Sequence, residues 1–177
     1  MKLKKKSLLA LVLIFTVAIA MIGLSGCGKK EEKVPTTDEV TKVLKDNGFT
    51  ESEIDSDKDN VQTKNFFHEE NIVYVFNTIK EDKYIDGFMV NLKKSMDQLV
   101  EQYVIKDKNV KAKVIKDDKD GDIEILSKRW NNEGYVIIKN KNTVANIVIM
   151  GKDAAEYDKC AKLINDVEKE LGYKEVV

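Results

Sequence analysis

The chain has 177 residues, of which 30 are basic and 31 are acidic, so its formal net charge is −1. Because these charges balance and Arg129 is the only arginine, the composition argues against a nucleic-acid-binding protein. The two cysteines, Cys27 and Cys160, are too few for the disulfide framework of a small secreted domain.

The N-terminus carries the most specific signal in the sequence. Four lysines among the first six residues precede an apolar run of 15 residues from Leu8 to Ile22. As a helix this run would span about 22 Å, which is short of the ~30 Å hydrocarbon core of a bilayer. It leads into small residues and a cysteine, Leu24-Ser25-Gly26-Cys27. A basic segment, an apolar segment and a small-residue cleavage site together indicate a secretory signal.

The motif Leu24-Ser25-Gly26-Cys27 resembles the lipobox of bacterial lipoproteins. That resemblance implies cleavage before Cys27 and a diacylglycerol on its sulfur, which would anchor the mature chain to the outer face of the cytoplasmic membrane. The alternative is an uncleaved N-terminal membrane helix. On the lipoprotein interpretation, residues 1–26 are a cleaved signal peptide, 27–36 a tether and 37–177 a single α+β domain. The mature chain would carry 26 basic and 31 acidic residues.

The segment after the lipobox predicts a short tether followed by a helix. Residues 28–36 are charged and include Pro35, the only proline, and nine extended residues reach at most about 30 Å. Thr36 and Glu39 stand at capping-box spacing, and Asn47-Gly48 supplies an end signal. We therefore expect a helix between them.

The middle of the chain predicts two strands and a helix. Residues 51–60 are acidic and predicted to be irregular, whereas residues 61–67 and 71–79 are predicted to form strands joined by a turn that contains His68. Residues 83–104 fit either one helix or a short strand followed by a helix from Ser95. The unbroken 3.6-residue apolar period favours one helix, and Gly87 is the weak point of that interpretation.

The C-terminal third predicts four strands and a closing helix. Residues 111–116, 122–130, 134–140 and 143–151 are separated by short turns, which favour an antiparallel meander. The helix is expected over 153–171. The chain is therefore predicted to be α+β, with an antiparallel β-sheet of about six strands, a C-terminal meander, and helices packed on the sheet.

The motifs of this region, GYVII (134–138), NTVANIVI (142–149) and KELGY (169–173), resemble small lipoproteins of clostridia and related Gram-positive bacteria. The resemblance is one of layout, so it implies no catalytic residues.

Two acidic clusters are candidate cation sites. Asp55, Asp57 and Asp59 have the spacing of the start of an EF-hand loop, but the sixth position is Asn60 and the twelfth is Phe66. The glycine and the bidentate glutamate of that loop are missing, which leaves an irregular, weak calcium site at most. The second cluster, predicted to lie in one hairpin turn, has the composition that such a turn needs; its members are Asp117, Asp118, Asp120 and Asp122.

Three further side chains merit attention. Trp130 precedes two asparagines, so it is a candidate for stacking on a sugar or a peptide, although a core tryptophan at a strand end is the more common outcome. His68, the only histidine, is predicted to be exposed in a turn. Cys160 lies on the apolar side of the closing helix, which predicts a small buried hydrophobic residue.

No nucleophile elbow, phosphate-binding loop, dinucleotide fingerprint or zinc-protease motif is present in the sequence. We therefore expect an extracytoplasmic, non-catalytic binding or accessory module with a protein or small-molecule partner and no cofactor. The alternative is a surface hydrolase or a metal-dependent enzyme that uses the acidic clusters.

Overall fold

The computed structural model describes residues 33–53, 56–58, 60–104 and 111–177. Three α-helices and eight β-strands lie in this part of the chain. The helices are α1 (Thr37–Asp46), α2 (Ile85–Val104) and α3 (Ala154–Glu170). The strands are β1 (Thr50–Glu51), β2 (Ser56–Lys58), β3 (Val61–His68), β4 (Ile72–Ile79), β5 (Lys113–Asp120), β6 (Ile123–Trp130), β7 (Glu133–Asn140) and β8 (Thr143–Met150).

All strands belong to one antiparallel sheet in the order β1-β3-β4-β8-β7-β6-β5, with β2 beside β1 on the same edge of β3. The α+β class and the C-terminal meander are therefore confirmed. The expected number of about six strands was too low, because β1 and β2 have only two and three residues. Strands this short contain no alternating pattern, so their pairing with β3 decides their conformation.

Helices cover both faces of the sheet. In β4, Ile72, Tyr74 and Phe76 pack against α1 and α3 on one face, which we call the α1/α3 face. Val73 and Val75 alternate with them and pack against α2 on the other, the α2 face. Because both faces are covered, the central strands β4, β7 and β8 are buried along almost their whole length.

The ambiguous segment forms one helix, as predicted. A 3₁₀ turn (Asp82–Tyr84) leads directly into α2. Phe88, Leu92 and Met96 lie buried along the α2 face, and burial of such side chains is worth about 1.5–3 kcal/mol each, more than the ~1 kcal/mol cost of the glycine at position 87. No helix among the described residues is long and apolar enough to cross a bilayer.

The predicted acidic turn was wrong in its position. Asp117, Asp118 and Asp120 belong to β5, which extends to residue 120 instead of ending at 116. Gly121 has a φ of 60° and provides the left-handed conformation that the turn into β6 needs. The turn is therefore shorter than its composition indicated, and most of the aspartates lie in the strand before it.

Candidate functional site

The first described residues are held at one end of the sheet. Thr36 accepts a hydrogen bond from the Glu39 N–H at 3.2 Å, and the Glu39 carboxylate accepts one from the Thr36 N–H at 2.9 Å, so the predicted capping box is confirmed. The Asn140 side chain donates to the carbonyl oxygen of Lys33 at 3.3 Å. Pro35 is buried. The end of the predicted tether thus contacts the end of the sheet that carries the β7–β8 turn.

The chain end after α3 meets the same place. Gly172 has a φ of 96°, and the Tyr173 N–H donates to the Glu168 carbonyl at 2.8 Å, which reverses the chain. The Tyr173 hydroxyl then accepts a hydrogen bond from the Asn140 side chain at 3.3 Å. Burial raises the pKa of the Tyr173 hydroxyl to about 12. Asn140 therefore connects the start of the domain to its C-terminal end.

A buried carboxyl group, Glu168, lies next to this connection. Its exposed fraction is 0 %, and neither side-chain oxygen has a partner at full hydrogen-bond geometry among the described residues. Burial raises the pKa of Glu168 to about 8, and the nearby Tyr74 hydroxyl lowers it by a smaller amount. At neutral pH the carboxyl group is therefore protonated, but it is sealed from solvent and from any substrate in solution.

Sequence reasoning missed Glu168. It stands four residues after Ile164 and three residues before Leu171, both of which face the core. Helical spacing places positions i, i+4 and i+7 on one face, so Glu168 lies on the same apolar face as Ile164 and Leu171. A carboxyl group within this apolar stripe was the sequence signal that could have predicted its burial.

A second polar cluster lies buried on the α2 face. The Thr63 hydroxyl donates to Asn77 Oδ1 at 3.0 Å, and Asn77 Nδ2 donates to Asn146 Oδ1 at 3.1 Å and to the Val144 carbonyl at 3.1 Å. Thr63, Asn77 and Asn146 come from three neighbouring strands, β3, β4 and β8. Because these hydrogen bonds link three neighbouring strands at fixed positions, this cluster favours one register of the sheet.

The described surface carries an open groove of about 550 Å³ beside β1, lined by residues 45 and 49–53. One of its two carboxylates, Glu51, forms ion pairs with Lys45 at 2.5 Å and with Lys64 at 2.6 Å. These two lysines hold the pKa of Glu51 below its ordinary value. The Phe49 ring packs against His68 with a centroid separation of 5.1 Å. The groove can accept a polar ligand or a peptide side chain, and the Glu51 carboxylate in it remains ionised.

The described members of the two acidic clusters lie far apart. Asp57 in β2 is exposed and pairs with Lys80 at 2.6 Å, while Asp55 and Asp59 lie outside the described residues. β2 and β5 are at opposite edges of the sheet, which corresponds to about 30 Å at ~4.8 Å per strand. Within the described ranges, no group of three or more histidine, cysteine, aspartate or glutamate side chains is placed to hold a metal ion.

Trp130 is a core residue. Its exposed fraction is 4 %, and its indole N–H donates to Glu133 at 2.9 Å. Its ring meets Tyr135 edge to face with a centroid separation of 6.1 Å. The Trp130 ring therefore packs inside the protein. This is the core tryptophan at a strand end that the sequence analysis gave as the alternative to a stacking site.

The prediction for His68 was wrong, whereas the prediction for Cys160 is confirmed. His68 is the last residue of β3 and half-buried, so its predicted position in an exposed turn was wrong. Cys160 is buried, as predicted, and burial raises the pKa of its thiol. A buried thiol of raised pKa is a poor nucleophile.

Cys27 lies outside the described residues. Comparison of the chain with protein-family models, curated proteins and solved structures gave no match.

Proposed function

We propose that the chain is a lipoprotein, anchored through a diacylglycerol on Cys27 to the outer face of the cytoplasmic membrane. Its domain would act as a non-catalytic binding or accessory module for a protein or small-molecule partner. The observation that carries the proposal is the sequence Leu24-Ser25-Gly26-Cys27 directly after a basic and an apolar segment.

Two carboxyl groups support a binding role over a catalytic one. Glu51 lies in the open groove, but it is ionised and paired with two lysines. Glu168 has the raised pKa that a general acid needs, but it has no access to solvent. Glu51 is accessible but has a lowered pKa, and Glu168 has a raised pKa but no access, so neither group can act as a general acid on a substrate. A wide, shallow groove also suits recognition of a surface better than chemistry in a sealed pocket.

The anchor is tested by Cys27→Ala in the full-length chain, with Cys160→Ala as the matched control. The variant at position 27 is expected to remain unprocessed and to lose its labelling by a radioactive fatty acid. The control keeps both properties, because Cys160 is buried in the domain. Unchanged processing and labelling of the Cys27→Ala chain would refute the lipobox interpretation.

The binding role is tested by photo-crosslinking on intact cells. A photoreactive amino acid replaces Thr50, which is exposed beside the groove, or Lys162, which is exposed on α3. We expect a discrete adduct from position 50 that the position-162 control does not form. Equal yields from both positions, or none from either, would contradict a binding surface at the groove.

A further inference from the structure

The two edges of the sheet differ in length. One edge consists of β1 and β2, with two and three residues, whereas the other is β5, with eight. β5 spans about 26 Å at ~3.3 Å per residue. Almost all of its side chains are exposed, including Val114 at 51 % and Ile115 at 40 %. Within the described part of the chain it pairs only with β6, so one row of its backbone groups has no strand partner.

An unpaired edge strand is a template for another strand, and proteins usually protect such edges with charges and bulges. β5 has both features, since a bulge lies between Val114 and Lys116 and charged residues follow it. After the bulge, residues 116–120 pair with β6 without interruption. This regular segment reads Lys-Asp-Asp-Lys-Asp, and its order of charges decides which strand it accepts.

We propose that residues 116–120 of β5 pair with the same residues of a second copy of this chain, antiparallel, about a two-fold axis at Asp118. A two-fold axis that joins two antiparallel edges stands normal to the sheet, and directly opposed residues must lie on the same face. The axis therefore passes through a residue and not between two neighbouring residues. An axis between two residues would place side chains from different faces opposite each other.

Of the registers that satisfy this condition, the one centred on Asp118 aligns the whole regular segment. It opposes Lys116 to Asp120 and Asp117 to Lys119, each twice by symmetry, which makes four pairs of opposite charge and one pair of like charge at the axis. A centre at Lys119 opposes only like charges, and a centre at Asp117 aligns only three of the five residues. The segment is thus complementary to itself in one register.

The pairing of β5 with β6 agrees with this arrangement. Lys116, Asp118 and Asp120 are opposite Ser127, Ile125 and Ile123, which places these three β5 residues on the α1/α3 face.

Asp117 and Lys119 alternate with them and lie on the α2 face, so each proposed pair joins residues of one face. Both members of the proposed Lys116–Asp120 pair already contact the C-terminal segment: Lys116 donates to the Glu175 carbonyl oxygen, and Asp120 pairs with Lys174 at 3.6 Å. Both contacts are exposed, and exposed charge contacts of this kind are weak competitors.

The charges also make the second copy a better occupant than an unrelated strand. Opposite charges directly across a strand pair attract each other, and like charges repel each other by a similar amount. A strand with like charges at these positions meets repulsion, and an uncharged strand lacks the attractive pairs, so the edge favours the second copy over both. The inference does not depend on the lipid anchor.

The charge pairs are tested by sedimentation of the full-length chain in non-ionic detergent, at protein concentrations up to about 0.5 mM because one edge strand buries a small interface. Wild type is expected to dimerise. Asp117→Lys and Lys119→Asp should each weaken the dimer about tenfold, since each turns two attractive pairs into repulsive ones. The double variant restores opposite charges and should return to wild-type affinity. Asp118→Asn should dimerise more tightly than wild type, because it removes the pair of like charges at the axis.

The axis is tested independently with cysteines. Directly opposed residues place their Cβ atoms about 4.5–5.5 Å apart, near the range for a disulfide. Asp118→Cys should therefore form a disulfide-linked dimer under mild oxidation, whereas Val90→Cys, an exposed control on α2, should not. Monomeric wild type, a dimer insensitive to the charge exchange, or equal crosslinking at both positions would overturn the proposal. Binding of an unrelated extended peptide in place of the second copy would also overturn it.

Discussion

Replacement of Glu168 by glutamine is expected to change the pH dependence of stability. The folded protein holds this carboxyl group at a pKa of about 8, against 4.5 for the ordinary side chain. Between these two values the folded chain keeps a proton that the unfolded chain releases. The free energy of unfolding therefore falls as the pH rises from about 4.5 towards about 8, and above that the loss is complete.

The size of the effect follows from the two pKa values of Glu168. They differ by about 3.5 pH units, and each unit corresponds to about 1.4 kcal/mol, so the full effect is about 5 kcal/mol. At pH 7 the free energy of unfolding of the wild type has fallen by about 3 kcal/mol relative to its value below pH 4.5. Glutamine has nearly the same size and does not titrate. The difference between Glu168→Gln and wild type should therefore grow by about 3 kcal/mol up to pH 7 and by about 5 kcal/mol above pH 8.

Urea unfolding followed by circular dichroism between about pH 4.5 and pH 9 measures this difference. The other titrating groups are the same in both proteins and cancel, and a constant difference in packing does not alter the slope. Glu170→Gln is the matched control, because Glu170 is on the same helix but exposed. If the difference between wild type and Glu168→Gln stays constant with pH, the reasoning from burial is refuted.

Two further substitutions test close contacts on the two faces of the sheet. A methyl group at Gly134 would lie 2.7 Å from the Tyr157 hydroxyl, so Gly134→Ala should lower the free energy of unfolding by about 2 kcal/mol; wild-type stability would contradict this close approach. Asn77→Ala leaves the buried side chains of Thr63 and Asn146 without their partner, which should cost about 3 kcal/mol in urea unfolding. Adding Thr63→Val removes one orphaned group, so the double variant should lose less than the sum of the two single variants, and simple additivity would count against the network.

Local signals in the sequence were enough for the helices and the meander. The capping box of Thr36 and Glu39 and the Asn47-Gly48 signal bracket α1. The apolar period through residues 85–104 predicted one helix, in spite of Gly87. Short turns predicted the neighbours in the C-terminal meander. All of these signals act between residues a few positions apart, so they can be found without the rest of the chain.

Only the tertiary structure decided the features that depend on distant residues. β1 and β2 become strands because β3 lies beside them, and Asp117 and Asp118 belong to a strand because Leu126 and Ile125 of β6 pair with them. Glu168 is buried because the sheet and the chain end close over α3. The lipobox prediction came from contiguous residues. Burial, strand pairing and the position of β5 at the edge of the sheet arise from contacts across the sheet, and no local pattern encodes which residues will meet there.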